Sequence, residues 1–486
     1  MVRMQPLRMP QQTQVPVLGS TIEQLRGGFA DGSTTPSDAL ELTIAHLETV
    51  HPAINAIAAT DFDVAREAAE AATRRWEDGR SLGPLDGVPV TVKDSVNAVG
   101  LPWRHGTKPN DGRPGADVDA PPSARLREAG AVIVGKTTMP DFGMLASGVS
   151  SLYGIVRNPW DLSMTPGGSS SGAGASLAAG LTWGAIGTDI AGSVRLPAAH
   201  CGIVAIKPTQ GRIPHLAPST VRSAGPMGRT VADVTELFGV VGRFDARDSL
   251  ALADETDCDE PVLPLDAVNG LRVGVLSDMG YGFPADEPTL RTLRAAAQTL
   301  AEGGCEIIEL PAPFAPGVYD ALDTLYVVRA RAELESHGDR GGYVLPGLVR
   351  WIEAAGPLSA TDYERALGRV TTDQMAFAAL QRDVDVVLSP VLPSAAFPAE
   401  HLGMNQDRPL EHCSFTAWFN QTGQPAVSMP FGEDNGHPVA IQIAGPRYAD
   451  RRVLALAGWL EARRGKEPDW PLEPRATPGT VWKEAK

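Results

Sequence analysis

The sequence has little cysteine, a deficit of basic residues and no long hydrophobic run. Four cysteines occur among 486 residues without a C-x-x-C pair, which excludes a disulfide framework and a zinc knuckle. Lys and Arg number 42 against 58 Asp and Glu, giving a net charge of −16 that repels phosphate and excludes nucleic acid as a direct partner. The long uncharged window between 161 and 189 is mostly Gly, Ser and Ala, which excludes a membrane span there. The cysteines are Cys201, Cys258, Cys305 and Cys413.

What is present is an ordinary globular composition, with 43% apolar and 21% charged residues. The length is compatible with about three domains or with one large α/β domain. Residues 1–19 contain two arginines but no apolar run of signal-peptide length, so we expect a frayed tail on a cytoplasmic protein. The net charge is compatible with small neutral molecules as substrates. The sequence predicts no metal site and no cofactor, and it leaves open whether the chain is a monomer or a homodimer.

Helical patterns alternate with short β-branched runs along the chain. Residues 20–76 have a helical pattern, and further helices are expected from about 317 to 382. The runs GVPVTVKDSV and AVIVGKTT predict strands, and LRVGVL and EIIELP flank a helical segment as in a βαβ unit. This alternation predicts an α/β layer architecture.

A phosphate-binding loop is the first of two motifs that lack their required context. Residues 130–137, GAVIVGKT, match its pattern. A phosphate cradle needs convergent backbone N–H groups, whereas Ala-Val-Ile-Val forms a strand that ties those groups into a sheet. We therefore interpret this segment as a core strand with Lys136 at its end.

The second motif is a nucleophile elbow, GSSSG, at 168–172 with Ser170 in its centre. An elbow serine lies between a strand and a helix, but the preceding RNPWDLSMTP has no apolar run. This context disfavours a hydrolase of the Ser-Asp-His type.

The window from Thr165 to Pro197 has stronger features. Two turn-like Gly/Ser segments, 165–172 and 187–193, flank a helix of small residues. Glycine permits close backbone approach, so both segments can direct hydroxyls and N–H groups toward one point. A flexible linker is disfavoured because SLAAGLTWGAI is apolar enough to be buried.

This window resembles the amidase signature family. GGSSSG followed by GTDIAGSVRLPAAHCGIVAIKPTQGRIP matches the family's Gly/Ser-rich signature, and LDGVPVTVKDS resembles its lysine segment. GKTTMPDFG, YGIVRNPWD and GQPAVSMPFG are similar to other landmarks, so the likeness spans about residues 20–460. The resemblance implies one domain over 20–475, with a signature core at about 80–215 and a variable region at about 310–410. It also implies a central twisted mixed β-sheet covered by helices on both faces.

The resemblance also implies a catalytic triad. Ser193 is the expected nucleophile, Ser169 the bridging serine with a cis peptide, and Lys93 the base. A serine hydroxyl needs a neighbour that accepts its proton, and lysine does so only when burial keeps it neutral. The apolar flanks in VTVKDS suit that requirement.

The resemblance assigns roles to residues around the triad as well. The N–H groups of Ile190, Ala191, Gly192 and Ser193 form the expected oxyanion hole. Gly143, Ser170 and Thr188 are candidate substrate-binding residues, and Thr188, Asp189 and Arg195 are expected to brace the loop. The substrate pocket is expected within 310–410, a segment that contains Tyr319, Leu325, Tyr326, Trp351 and Phe377.

Three functions follow from these observations. The favoured one is a stand-alone hydrolase of carboxamides that also accepts anilides, esters or carbamates (urethanes). The alternative is the glutaminase subunit of a tRNA-dependent amidotransferase, disfavoured because residues 461–486 lack the Lys-rich segment associated with that subunit. A non-catalytic binding protein is the least favoured, since Lys93, Ser169 and Ser193 are all present.

Overall fold

The computed structural model describes residues 18–216, 218–254, 268–394, 397–465 and 469–475. Their strands are β1 (Ile57–Thr60), β2 (Pro89–Lys93), β3 (Val132–Thr137), β4 (Val149–Ser150), β5 (Gly154–Ile155), β6 (Gly184–Asp189), β7 (Val204–Lys207), β8 (Ser223–Gly228), β9 (Arg272–Val275), β10 (Glu306–Glu309), β11 (Val386–Pro390), β12 (Ala426–Asp434) and β13 (His437–Ala444). The helices are α1 (Ile22–Asp31), α2 (Pro36–Ile54), α3 (Phe62–Glu77), α4 (Pro121–Glu128), α5 (Ser171–Ala178), α6 (Arg195–Cys201), α7 (Val231–Val241), α8 (Glu287–Glu302), α9 (Val318–Ser336), α10 (Pro346–Ala354), α11 (Ala360–Leu380), α12 (Ser414–Gln421) and α13 (Asp450–Glu461). Short 3₁₀ helices cover Lys108–Asn110, Asp141–Gly143, Gly338–Tyr343 and Glu411–Cys413. Most of the predicted tail, 1–17, and Cys258 lie outside the described residues.

One mixed sheet organises the described residues. Its eleven strands lie in the order β1-β3-β2-β6-β8-β7-β12-β13-β11-β9-β10. The β2–β3, β2–β6, β9–β10 and β9–β11 pairs are parallel, and the other pairs are antiparallel. The parallel β9 and β10 are joined through α8, which confirms the predicted βαβ unit.

Helices cover both faces of this sheet. Along β13, Ile441 and Ile443 pack into a core shared with α1, α7, α8 and α13. The alternate residues Ala440 and Ala444 pack into a second core with α9, α10, α11 and α12. This alternation is the two-residue period of a strand buried on both sides. It confirms the predicted α/β class with a central mixed sheet between helices.

Three parallel strands bring the signature segments to one edge of the sheet. In the register, Lys93 of β2 pairs with Thr137 of β3, and Val92 of β2 pairs with Ile186 of β6. Because these strands run in the same direction, their carboxyl ends lie side by side. Such edges are the usual position of sites in α/β sheets.

The helical pattern predicted over 20–76 is wrong at 57–60. No strand was predicted at 223–228, where β8 lies. Residues 57–60 form β1 rather than helix, in antiparallel pairing with β3. Four residues are too few for periodicity to separate a strand from a helix. β8 contains Pro226 and two glycines, which disfavour strands, yet it pairs with both β6 and β7. At Gly225 a Cβ would lie 2.5 Å from the Ile206 carbonyl, so this close pairing requires glycine.

None of the helices in the described ranges combines the length and the hydropathy that crossing a bilayer would require.

Candidate active site

Lys93 is the last residue of β2 and is completely buried. Its Nζ donates to the Ser169 Oγ at 2.8 Å and to the Thr188 Oγ1 at 3.1 Å. Two of these residues come from the Gly/Ser segments that the sequence analysis expected to converge. The fold therefore brings the predicted base and the predicted bridging serine into direct contact across a sequence separation of 76 residues.

The environment of Lys93 disfavours its charged form. Burial lowers the pKa of Lys93 from its ordinary 10.5 to about 7, while the carboxylate of Asp189 opposes this shift and the guanidinium of Arg222 reinforces it. Loss of hydration penalises an ammonium group more than a neutral amine. Near neutral pH a large fraction of the molecules thus carry an unprotonated amine at this position.

The Ser169 segment is held by its backbone. The Gly168–Ser169 peptide bond is cis, as the resemblance implied. At Gly168 an added Cβ would lie 2.4 Å from the Ser147 carbonyl oxygen, so no larger residue fits. The next residue, Ser170, donates its N–H to the Ser193 carbonyl at 3.0 Å. These contacts fix the predicted bridging serine beside the loop that carries the predicted nucleophile.

Ser170 and Thr188 are turned toward each other. The Ser170 hydroxyl is completely buried and lies 3.3 Å from both the backbone oxygen and the backbone nitrogen of Thr188. Ser170 follows an irregular segment and directly precedes α5, so the strand that a nucleophile elbow requires does not precede it. Its contacts brace the two Gly/Ser segments against each other.

Ser193 lies on the loop between β6 and α6. Asp189, at the end of β6, accepts the Gly192 N–H at 2.7 Å and the Val194 N–H at 3.1 Å. Among the predicted oxyanion donors, Gly192 is therefore already bonded to a carboxylate. The N–H groups of Ile190, Ala191 and Ser193 donate to no acceptor within the described ranges. Likewise, the Ser193 hydroxyl has no hydrogen-bond partner in that part of the chain, and the residue is 8% exposed.

A buried ion pair holds this loop in place. Arg195 donates through Nε to Asp189 Oδ2 at 3.0 Å and through Nη2 to Oδ1 at 2.9 Å, and both side chains are completely buried. Burial alone would raise the pKa of Asp189, but the charge and hydrogen bonds of Arg195, together with the charge of Lys207 and the Asn420 hydrogen bond, outweigh it, and the pKa is lowered. The bracing that we expected of Asp189 and Arg195 is therefore present.

Sequence reasoning missed the residues that complete this brace. Arg195 also donates to the Gln442 Oε1 at 2.7 Å and to the Asn420 Oδ1 at 2.6 Å. The Asn420 amide in turn donates to the Asp189 carboxylate at 2.9 Å. These partners lie more than 200 residues downstream, on α12 and β13, and no local pattern in the sequence marks them.

Gly143 lies next to Ser169. It ends the 3₁₀ turn Asp141–Gly143 after β3 and has a φ of 67°, and an added Cβ would lie 3.3 Å from the Ser169 Oγ. Asp141 accepts hydrogen bonds from the Ser151 N–H at 2.7 Å and from the Thr107 hydroxyl at 2.8 Å. These bonds pin the turn against neighbouring loops and leave Gly143 at the edge of the site.

A cleft of about 760 Å³ opens at Ile190, beside the loop between β6 and α6. Leu325 and Tyr326, from the region where we expected the pocket, line it. Tyr319, Trp351 and Phe377 instead lie in the buried core between α9, α10 and α11. The sequence analysis missed the wall formed by 218–221, because that segment lies outside 310–410. The other lining residues are Leu250, Val328, Arg329, Ala332, Leu358, Ser359, Ala360, Tyr363, Leu367 and Gln421.

The apparent phosphate-binding loop is a strand, as interpreted from the sequence. Residues 132–137 form the fully buried β3. The Lys136 Nζ donates to the backbone carbonyls of Asp94 at 3.1 Å and Val96 at 2.6 Å. Lys136 therefore caps carbonyl groups of the neighbouring loop.

Most of the chain is similar to known proteins of one family. Residues 38–454 match the family model described as Amidase. The A subunit of the glutamyl-tRNA(Gln) amidotransferase of Acidothermus cellulolyticus is 35% identical over 472 residues, covering 87% of this chain and 90% of that protein. The acylamidase of Rhodococcus erythropolis is 34% identical over 469 residues, covering 91% and 94%.

Solved structures share the whole fold. A bacterial aryl acylamidase of the amidase signature enzymes superposes with a TM-score of 0.85 at 26% identity, covering 94% of this chain and 99% of that one. A 6-aminohexanoate cyclic dimer hydrolase superposes with a TM-score of 0.82 at 27% identity, covering 93% and 99%. With the family model matched over most of its length, this chain belongs to the amidase signature family of hydrolases, which act on C–N bonds.

Proposed function

We propose that this chain is a stand-alone amidohydrolase that cleaves carboxamides through an acyl-enzyme on Ser193, with Ser169 as proton relay and Lys93 as base. The observation that carries the proposal is the 2.8 Å contact between the Lys93 Nζ and the Ser169 Oγ in a site where burial lowers the pKa of the lysine to about 7. A base is most effective when its pKa lies near the working pH. No cofactor is needed for this chemistry.

Acylation begins with two proton transfers. Unprotonated Lys93 takes the proton of the Ser169 hydroxyl, and Ser169 takes the proton of Ser193. The Ser193 oxygen then attacks the amide carbonyl to form a tetrahedral intermediate. The N–H groups of Ile190, Ala191 and Ser193, which have no acceptor within the described residues, support an oxyanion site there. The Gly192 N–H is expected to act indirectly, by holding the loop on Asp189.

Collapse of the intermediate requires an acid at the leaving nitrogen. Expelling an unprotonated amine is far costlier than expelling an alkoxide, so the relay returns the proton from Lys93 through Ser169. Water then repeats the attack on the acyl-enzyme. Because esters and carbamates with good leaving groups place a smaller demand on this acid, we expect them as additional substrates.

The alternative function is the glutaminase subunit of a tRNA-dependent amidotransferase. The observation in its favour is the 35% identity to a protein named as one component of such an enzyme. The likeness to an acylamidase at 34% identity, to a solved aryl acylamidase and to a solved 6-aminohexanoate cyclic dimer hydrolase supports the stand-alone enzyme.

We expect the enzyme to act in the cytoplasm. Cys201, Cys305 and Cys413 are free and buried in the described structure, as in a protein of a reducing compartment. Burial raises the pKa of Cys201 and of Cys413, which keeps both thiols in their unreactive form.

A matched substrate panel tests the reaction class. One aromatic acyl group is presented as a primary amide, a nitroanilide, a nitrophenyl ester and a nitrophenyl carbamate, and kcat/KM is measured for each. Preference for the anilide and the carbamate supports a stand-alone acylamidase with an open leaving-group side. A strong preference for the primary amide, with ammonia as product, supports the amidotransferase component.

Replacement of the nucleophile tests the mechanism. Ser193→Ala is expected to reduce kcat by at least about 10³-fold, because the acyl-enzyme cannot form. Ser176→Ala is the matched control, since Ser176 lies on α5 and donates only to the Ala173 carbonyl at 3.0 Å. A Ser193→Ala enzyme that keeps more than about a tenth of the wild-type rate on the best substrate excludes Ser193 as nucleophile.

A further inference from the structure

The cleft beside Ile190 contains one charged side chain. Of its 17 described lining residues, Arg329 on α9 alone carries a charge, and none is acidic. The chain as a whole has a net charge of −16, so most of its surface repels anions. A cation inside the cleft is therefore a local exception to the overall charge.

Arg329 is available to a ligand. It makes no hydrogen bond and no ion pair with any residue in the described ranges. The acid one helical turn later, Glu333, feels the charge of Arg329 but makes its ion-pair contact with the His105 Nδ1, 3.7 Å from its carboxylate. The guanidinium thus keeps its donors for whatever occupies the cleft, in contrast to Arg331 on the same helix, which donates to the Ile352 and Gly356 carbonyls.

A second guanidinium strengthens the positive field at this end of the cleft. Burial lowers the pKa of Arg222 to about 10, and the charge of Arg329 contributes to the same shift. The carboxylates of Glu333 and Asp248 oppose this shift, but neither residue lines the cleft, so the charge presented to a ligand there is that of Arg329.

The remaining lining defines the shape of the ligand. Leu325, Val328 and Leu358 form an apolar wall. Leu250, Tyr363 and Leu367 also line the cleft and are 41%, 38% and 37% exposed, so they offer apolar surface to a ligand. A ligand with an apolar body can pack against this wall, and an anionic group at its end can pair with Arg329.

Resting on the proposed amidohydrolase function, we propose that Arg329 binds a carboxylate of the substrate. The substrates are then amides that carry a carboxylate beyond an apolar spacer from the scissile C–N bond. One guanidinium matches a carboxylate through two parallel hydrogen bonds. The proposal extends the function from amides in general to anionic amides of this shape.

Two matched substrate pairs test the proposal. On the acyl side, glutaryl nitroanilide is compared with pentanoyl nitroanilide, which lacks the terminal carboxylate. On the amine side, benzoyl-4-aminobenzoate is compared with benzanilide. The measured quantity is the ratio of kcat/KM for the charged to the neutral member, which cancels effects common to both. In the wild type we expect this ratio to be about ten in at least one of the two pairs.

The variants isolate the guanidinium. Arg329→Gln is expected to lower the favoured ratio about tenfold, and Arg329→Lys to lower it less, since lysine keeps the charge but not the bidentate geometry. Arg350→Gln is the control, because Arg350 lies on the neighbouring α10 and outside this cleft. It removes the same charge and is expected to leave the ratio unchanged.

The outcomes separate this proposal from the proposed function. A wild-type ratio at or below one in both pairs, or an equal loss on both members in Arg329→Gln, overturns the carboxylate site while amide hydrolysis stands. If the wild type cleaves none of the four compounds, the hydrolase proposal fails for them. The site is then decided by calorimetric binding of glutaryl nitroanilide to Ser193→Ala with and without Arg329→Gln. Tighter binding with the arginine present supports the site, and equal binding overturns it.

Discussion

The buried Lys93 is expected to make the stability of this protein depend on pH. The drop in its pKa from 10.5 to about 7 corresponds to about 5 kcal/mol against the charged form in the folded state. The unfolded chain binds this proton below pH 10.5, whereas the folded protein binds it only below about 7. Between these values the unfolded state holds more protons, so stability rises with pH and the destabilisation is complete below 7.

Lys93→Met removes this contribution. Relative to the wild type, the variant should be stabilised most at pH 7 and below and progressively less toward pH 10.5. For pKa values of 10.5 and about 7, the difference between the two proteins should shrink by about 2 kcal/mol from pH 7 to pH 9. The hydrogen bonds to Ser169 and Thr188 are lost in the variant at both pH values, so the change of the difference with pH reports on the proton of Lys93.

The measurement is urea unfolding of both proteins followed by tryptophan fluorescence at the two pH values. The exposed Lys108, which pairs with Asp111 at 2.7 Å, provides a control in Lys108→Met for the general effect of losing a lysine. A difference between wild type and Lys93→Met that is the same at both pH values would refute the reasoning. It would mean that Lys93 stays protonated in the folded protein and cannot act as the proposed base.

Three further predictions follow from the same site. The value of kcat/KM for a nitroanilide should rise about tenfold per pH unit below 7 and level off above about 8 as Lys93 loses its proton, and a profile that is flat from pH 5 to 8 contradicts a lysine base. Asp189→Asn should lower the free energy of unfolding by about 3–5 kcal/mol, because it leaves Arg195 charged and buried without its counterion. A loss below about 1 kcal/mol in urea unfolding would show that the ion pair does not hold the loop. Gly192→Ala should abolish activity and lower the melting temperature, since its Cβ would lie 2.4 Å from the Thr416 Oγ1 at a φ of 124°, and wild-type kcat in this variant would show that the loop adapts freely.

Local sequence signals were sufficient where an element is long or a motif is dense. The βαβ unit around α8 and the buried strand at 132–137 are confirmed, because long helical periodicity and β-branched runs are strong local signals. The short β1 and the glycine-containing β8 depend on partner strands far along the chain, and residues of low strand propensity adopt that conformation when pairing and burial outweigh it.

The candidate site also contains residues that the sequence identifies and contacts that only the structure identifies. Lys93, Ser169 and Ser193 stand in motifs that can be identified in the sequence, and the contact between Lys93 and Ser169 was expected from them. The occupancy of the Gly192 N–H by Asp189 was not expected, nor was the support of Arg195 by Asn420 and Gln442. Hydrogen-bond partners are set by three-dimensional proximity, which a one-dimensional pattern does not encode for single polar residues.

The family, the α/β class and the identity of the residues proposed for catalysis could thus be inferred before folding is considered, because they depend on residue types at fixed local spacing. The environment of those residues comes from the tertiary structure alone. The near-neutral pKa of Lys93 arises from burial beneath strands and loops contributed by distant parts of the chain, and Arg329 reaches the cleft only through the packing of α9. Desolvation and charge proximity act through space, so their effects appear once the chain has folded.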